Sequence, residues 1–146
     1  MRYLTLVARV TLGLVLLTFG LDYFVSFLPE PPSTPQGTAF LTALLATGYL
    51  FLIVKIVEIC CGILLLLNRF VPLALLLLAP IALNIGLYHA LLDRNGAVFG
   101  FAVVALELYL GFAYRAHWKS IFASAPALRP QTSSLHQVNL SQADAA

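Results

Sequence analysis

The residues of this chain that could do chemistry are charged side chains placed inside long apolar segments. Lys55 and Glu58 are three residues apart, so on a helix they share one face and can neutralise each other. Arg9 and Glu107 lie in two other apolar segments. Ionisable groups inside a membrane span are costly and often mark a proton, ion or substrate path. A Lys–Glu pair can equally hold helices together, and the sequence leaves both interpretations open.

A second group of polar residues lies toward the other ends of these segments and consists of Asp22, Asn84 and His89. An imidazole can accept or deliver a proton near neutral pH, and the carboxylates of Asp22 and Asp93 are the expected neighbours of His89. The three residues therefore form a candidate ligand or proton site. The alternative, which the sequence favours for His89, is an ordinary hydrogen-bonding histidine.

The composition indicates an integral membrane protein. The chain has 146 residues, of which 61% are hydrophobic and 10% are charged, and its mean hydropathy is +0.95. Soluble domains carry about 25% charged residues, so the apolar excess is expected to face lipid. A net charge of +2 without a basic stripe excludes a nucleic-acid-binding surface. Cys60 and Cys61 are adjacent and match neither a CxxC motif nor a metal site, so we expect small packing residues, no metal and no covalently bound cofactor.

The apolar segments predict an all-α bundle of four transmembrane helices. The expected spans are residues 3–28, 44–67, 70–91 and 97–114. Thr34 followed by Pro35 is typical of a helix N-terminus, so a short interfacial segment with a bend near Gly48 should precede the second span. Pro80 removes a backbone hydrogen bond and predicts a kink in the third helix.

The positions of the charges predict the orientation of the bundle. Four spans place both termini on one side, and most basic residues outside the spans fall on that side, which predicts cytoplasmic termini in a bacterial inner membrane. Residues 1–119 form the predicted membrane domain, and residues 120–146 form a predicted disordered cytoplasmic tail. Counted along the spans, the bases Arg9 and Lys55 and the acids Glu58 and Glu107 fall in one layer near the midplane, somewhat toward the cytoplasmic half, with a total charge of zero.

Several short motifs resemble the DoxX family of small four-span membrane proteins. They are Gly13 and Gly20, the loop Pro31-Pro32, Thr47-Gly48-Tyr49, Glu58 with Gly62-Ile63-Leu64-Leu65, the run Arg69-Phe70-Val71-Pro72-Leu73-Ala74-Leu75, and Ala79-Pro80-Ile81 with Asn84-Ile85 and His89. The resemblance covers about residues 1–115. It implies an association with quinone-dependent oxidoreductases or with thiol stress, but it assigns no catalytic residue.

Three functions remain open from the sequence. The first, which the resemblance favours, is an accessory or quinone-interacting component of a membrane redox system, acting with a membrane or peripheral redox protein. The second is a non-catalytic scaffold that assembles partner proteins or a second copy of the chain. The third is a small transporter whose buried charges form a proton or ion path.

Overall fold

The computed structural model describes residues 2–29 and 32–122, which contain α-helices, one short 3-10 turn and no strand. The helices are α1 (Arg2–Val25), α2 (Pro35–Ala46), α3 (Leu50–Leu66), α4 (Val71–Leu91), α5 (Ala97–Ala113) and α6 (Arg115–Phe122). The 3-10 turn, Arg94–Gly96, joins α4 to α5. The predicted all-α class is therefore confirmed for the described part of the chain.

Three of the helical segments are long and apolar enough to cross a membrane: Tyr3–Val25, Val71–Leu91 and Arg94–Ala113. A fourth span is formed if α2 and α3 are counted together, although the two helices meet at an angle of 93°. The predicted count of four spans thus depends on this bent pair. The orientation of the termini stays a prediction.

The break between α2 and α3 falls at Thr47-Gly48-Tyr49. Gly48 has a φ of +75°, a left-handed conformation that glycine adopts without steric cost, and this allows the chain to turn sharply. At the other end of α2, the Thr34 hydroxyl accepts a hydrogen bond from the Gly37 N–H at 3.1 Å, with Pro35 in the first turn. The predicted helix start and the predicted bend are both confirmed.

Three boundaries differ from the prediction. The second span was predicted to begin at residue 44, whereas α3 begins at Leu50, after the break that follows α2. α1 ends at Val25 because the Asp22 carboxylate accepts hydrogen bonds from the Phe27 and Leu28 N–H groups and ends the helix there. α6 includes residues 120–122, where a disordered tail was predicted to begin, and residues 123–146 lie outside the described residues. Pro80 lies inside α4, which continues from Val71 to Leu91, and the kink stays a prediction.

The core of the bundle is built from small and aliphatic side chains, with α1 packed most extensively against α3. Its buried members are Ala8, Leu12, Leu16, Cys61, Leu65, Val71, Ala74, Leu75, Leu78 and Leu110. Cys61 is buried among them, as expected of a packing residue, whereas Cys60 is exposed. Many large apolar side chains on the outside of α1, α4 and α5 are exposed, which is the pattern of a surface that faces lipid.

Two glycines allow the backbones of α1 and α3 to approach closely. A Cβ added at Gly62 would lie 3.0 Å from the Gly13 carbonyl oxygen and 3.0 Å from Leu17 Cγ, and one added at Gly13 would lie 3.1 Å from the Gly62 carbonyl oxygen. Small residues at such a contact are a common basis of helix association in membranes. Gly13 on α1 therefore has a defined partner on α3, Gly62.

Gly62→Ala is expected to lower the free energy of unfolding by about 1–3 kcal/mol, because the new methyl group meets backbone atoms that cannot move independently. The measurement is unfolding of the purified protein in detergent micelles. The matched control is Gly111→Ala, where an added Cβ meets nothing within 4 Å, so stability should be unchanged or slightly higher. Equal stability of the two variants would contradict the close α1–α3 contact.

Candidate functional site

The Lys55–Glu58 pair is formed as the spacing predicts. Lys55 Nζ lies 2.9 Å from Glu58 Oε2, and the two side chains are 13% and 6% exposed. The ammonium group also lies 5.0 Å from the centre of the Phe51 ring. Both charges and the aromatic face belong to α3, so this pair is neutralised within one helix.

Arg9 is buried on α1 and has a different kind of partner. Its Nη1 donates a hydrogen bond to the Leu65 backbone carbonyl, close to the end of α3. The Leu65 carbonyl also accepts a hydrogen bond from the Asn68 N–H at 3.1 Å, so Arg9 adds a second donor to the C-terminal end of α3. Within the described part of the chain, Lys55–Glu58 is the only ion pair, and Arg9 contacts neither Glu58 nor Glu107 at ion-pair distance.

Glu107 differs from Arg9 and Glu58 because one of its side-chain oxygens has no hydrogen-bond partner among the described residues. Its side chain on α5 is 8% exposed, and Oε2 is buried without a hydrogen-bond partner among the described residues. Glu107 lines an open cleft of about 360 Å³ between α4 and α5, which we call the Glu107 cleft. Its other lining residues are Leu75, Leu76, Ala79, Leu108, Gly111, Phe112 and Trp118. The cleft is therefore apolar except for one carboxyl group.

The Trp118 ring borders this cleft from α6. Its Nε1 donates a hydrogen bond to the Gly111 carbonyl at 2.8 Å, which attaches α6 to the last turn of α5. Trp118 thus forms one wall of the cleft and also fixes the position of α6.

A second open cleft of about 560 Å³ lies at the same end of the bundle, and we call it the Arg9 cleft. Its lining residues are Thr5, Leu6, Arg9, Asn68, Ala113, Tyr114 and His117. The Tyr114 hydroxyl donates a hydrogen bond to Asn68 Oδ1 at 3.4 Å, which connects the α3–α4 turn to the end of α5. In contrast to the Glu107 cleft, this one is rich in polar side chains.

The residues Asp22, Asn84 and His89 do not form a common site through hydrogen bonds in the described structure. The Asp22 carboxylate is occupied by the backbone after α1. Asn84 is exposed on α4. His89 Nδ1 donates a hydrogen bond at 2.9 Å to the backbone carbonyl of Asp93, and not to a carboxylate. The expected pairing of His89 with two carboxylates is therefore absent from the described hydrogen bonds.

His89 instead packs against the beginning of α5. A Cβ added at Gly96 would lie 2.4 Å from the imidazole Cε1, and one added at Gly100 would lie 2.2 Å from Cδ2. The ring thus lies directly on the glycine backbone, and the Tyr88 ring meets it edge-on at 4.9 Å between centroids. This environment corresponds to the ordinary hydrogen-bonding histidine that the sequence favoured.

A polar network that the sequence did not predict surrounds Asp93. Its Oδ2 accepts hydrogen bonds from the Ser33 hydroxyl at 2.6 Å and the Tyr88 hydroxyl at 3.2 Å, and its Oδ1 accepts one from the Asn95 N–H at 3.1 Å. Asn95 Nδ2 donates to the Pro32 carbonyl at 2.8 Å. We call this set the Asp93 network. It attaches the loop before α2 to the turn between α4 and α5.

The network shapes the ionisation of Asp93. The hydrogen bond from Ser33 lowers the pKa of the Asp93 carboxyl below its ordinary value, and the Asn95 N–H and the Tyr88 hydroxyl act in the same direction, whereas burial opposes them. Asp93 is therefore ionised at neutral pH. The only sequence signal was a loop rich in Ser, Thr and Pro and a turn containing Asp and Asn, and nothing in it indicated that the two are joined.

The bundle of long apolar helices with buried charges defines a multi-pass helical membrane protein. The DoxX family matches residues 4–91, which is more than half of the chain. The protein belongs to the DoxX family, as the sequence motifs suggested. The match ends at Leu91, so α5 and Glu107 lie outside it, although the resemblance was expected to reach residue 115. No curated protein and no solved structure matches the chain.

Glu58→Gln is expected to lower the free energy of unfolding by at most about 3–5 kcal/mol, because Lys55, whose side chain is 13% exposed, then lacks its counter-charge. The control is the double variant Lys55→Leu/Glu58→Met, which should cost much less since no lone charge remains. Both are measured by unfolding in detergent micelles. If Glu58→Gln is as stable as the parent protein, the pair does not compensate a buried charge.

Asp93→Asn is expected to loosen the loop before α2. Because the folded-state pKa of Asp93 is depressed, its contribution to stability is present above its unfolded value of about 3.9 and is lost as the pH falls through the lower folded value. Amide hydrogen exchange at Gly37 and Asn95 should accelerate in the variant at neutral pH, and protection in the parent should fall only in strong acid. Asp22→Asn, at another carboxylate that caps backbone N–H groups, should leave both amides protected.

Proposed function

We propose that this DoxX family protein is an accessory, quinone-interacting component of a redox system in the bacterial inner membrane, and that it binds the quinone headgroup in the Glu107 cleft. The observation that carries the proposal is Glu107, which lines an otherwise apolar cleft and whose Oε2 atom is buried without a hydrogen-bond partner among the described residues. A buried polar atom without a partner is costly, so a ligand that supplies a hydrogen bond there gains that free energy on binding.

The carboxyl group suits both redox forms of a quinone. An ionised carboxylate accepts a hydrogen bond from a quinol hydroxyl, and a protonated carboxyl donates one to a quinone carbonyl. One group can therefore hold either form of the headgroup. The role proposed for Glu107 is to bind and orient the ring and to hold a proton at Oε2.

The size and lining of the cleft support a small aromatic ligand. Its volume of about 360 Å³ falls within the range of about 300–1,000 Å³ that is usual for ligand pockets. Phe112 and Trp118 offer aromatic faces to a planar ring. Leu76, Leu108 and Phe112 are also exposed on the outside of the bundle, so an apolar tail can lie along α4 and α5 while the headgroup is in the cleft.

The other candidate positions support a ligand less well. Asp22 and His89 form hydrogen bonds with backbone groups. We therefore place the ligand at Glu107 and not at the candidate site of Asp22, Asn84 and His89. Lys55 and Glu58 neutralise each other within α3, which gives little support to a transport path. A scaffold remains the competing function, in which a partner protein covers the cleft.

The experiment uses Trp118, which is the single tryptophan of the chain and lies in the cleft. Decylubiquinone is titrated into the detergent-purified full-length protein while the tryptophan fluorescence is recorded. Saturable quenching is expected for the parent protein. Glu107→Leu removes the hydrogen-bonding group and should weaken the apparent affinity about tenfold or more.

Two further variants separate the cleft from general effects. Gly111→Leu places a side chain where an added Cβ meets nothing within 4 Å, so it should fill the cleft and weaken binding while Glu107 stays in place. Lys55→Leu/Glu58→Met removes a buried carboxylate outside the cleft and should bind as the parent does. Linear, non-saturating quenching of equal slope in all four proteins would refute the proposed site.

A further inference from the structure

We infer that the Arg9 cleft binds the phosphate group of an anionic phospholipid. The inference rests on a buried guanidinium that lines an open polar cleft and has no carboxylate partner in the described part of the chain. It concerns a different cleft and a different ligand from the proposed quinone site.

The charged side chains of residues 2–29 and 32–122 leave Arg9 without a counter-charge at ion-pair distance. Lys55 and Glu58 pair with each other, and Glu107 lines the other cleft. The hydrogen bond from Arg9 Nη1 to the Leu65 carbonyl satisfies one donor, but it does not neutralise the charge. A guanidinium has five N–H donors in a planar fork that matches the oxygens of a phosphate. An anion in the cleft would therefore supply both the missing charge and the missing acceptors.

The remaining lining of the cleft consists of uncharged or histidine hydrogen-bonding side chains together with Leu6 and Ala113. Asn68 Oδ1 is occupied by the Tyr114 hydroxyl, so the amide NH₂ is the group that Asn68 can offer to a ligand. Thr5, whose hydroxyl is hydrogen-bonded to the Tyr109 hydroxyl at 3.3 Å, and His117 also line the cleft, and no carboxylate lines it in residues 2–29 or 32–122. The cleft therefore favours an anion over a cation or a neutral ligand.

The position of the cleft indicates a lipid as the source of the phosphate. The cleft extends from the end of the bundle where α1 begins, α3 turns into α4 and α5 ends, which is the level of the headgroups for helices that cross a bilayer. Arg9 lies about two helical turns, or ~10 Å, along α1 from that end, within the cytoplasmic half of the predicted span. Arg115 at the start of α6 lies 4.2 Å from the centre of the Phe112 ring, so basic and aromatic groups meet at this end of the bundle. Basic pockets between membrane helices commonly hold anionic lipid headgroups.

The test measures thermal unfolding of the detergent-purified full-length protein with added phosphatidylglycerol, phosphatidylcholine or inorganic phosphate. Phosphatidylglycerol is expected to raise the Tm by roughly 5 °C more than phosphatidylcholine does, because it binds the folded state specifically. Equal shifts with the two lipids would overturn the inference. A shift of the same size with inorganic phosphate alone would overturn the assignment to a lipid.

Arg9 also donates a hydrogen bond to α3, so a variant at Arg9 can destabilise the fold as well as remove the ligand contact. Variants at Asn68 test the cleft without changing that hydrogen bond. Asn68 has a φ of +55°, a conformation that Asp and Gly both tolerate. Asn68→Asp adds a negative charge to the cleft and should abolish the extra shift, whereas Asn68→Gly removes the amide without adding charge and should retain part of it. Arg9→Gln should abolish the shift as well. Selectivity for phosphatidylglycerol that persists in Asn68→Asp would refute the site, whatever the outcome of quinone binding to the parent.

Discussion

Most of this structure depends on the cost of placing a charge inside an apolar bundle. A lone ion in such a medium loses its hydration, and only a counter-charge or several hydrogen bonds can replace it. Lys55 meets this requirement locally, since Glu58 is one helical turn away and 2.9 Å from it. Arg9 meets it in part by donating to the end of α3. Glu107 does not meet it within the described chain, and this unmet requirement is the reason to assign a ligand to its cleft.

The two clefts are related through α6. His117 lines the Arg9 cleft and Trp118 lines the Glu107 cleft, so consecutive residues of one short helix contribute to both. The indole N–H holds that helix to Gly111, and Tyr114 holds the preceding residues to Asn68. The end of the bundle that the basic residues predict to be cytoplasmic thus contains both proposed sites. The opposite end contains the Asp93 network, whose hydrogen bonds join loops and serve the fold.

The Asp93 network also explains why α2 can diverge from the bundle. α2 turns by 93° from α3 at Gly48 and is exposed along most of its length. Its N-terminus is held by Thr34, which donates to the Leu92 carbonyl, and by Ser33, which donates to Asp93. A Cβ at Gly37 would lie 2.7 Å from the Ser33 hydroxyl oxygen and 2.8 Å from the Tyr88 hydroxyl oxygen, so the glycine permits this close attachment. Polar contacts between loops thus position a helix that has few packing contacts of its own.

The sequence by itself determined the features that depend on local periodicity. Apolar length indicated the spans, a three-residue spacing placed Lys55 beside Glu58, Thr34 with Pro35 marked the start of α2, and Gly48 marked the bend. Each of these follows from helix geometry or from the φ preferences of a single residue. The motifs of the first three spans also identified the family, whose match ends at Leu91.

Only the tertiary structure decided which of the buried charges lacks a partner. The layer of four charges was predicted from their depth along the spans, but depth does not tell which way each side chain faces around its helix axis. That rotation is set by the packing of whole helix faces, and here it directs Arg9 to a carbonyl of α3 and Glu107 to a cleft beside Trp118. The Asp93 network was missed for the same reason, because Ser33 and Asp93 are 60 residues apart and meet only when α2 and the α4–α5 turn are both in place.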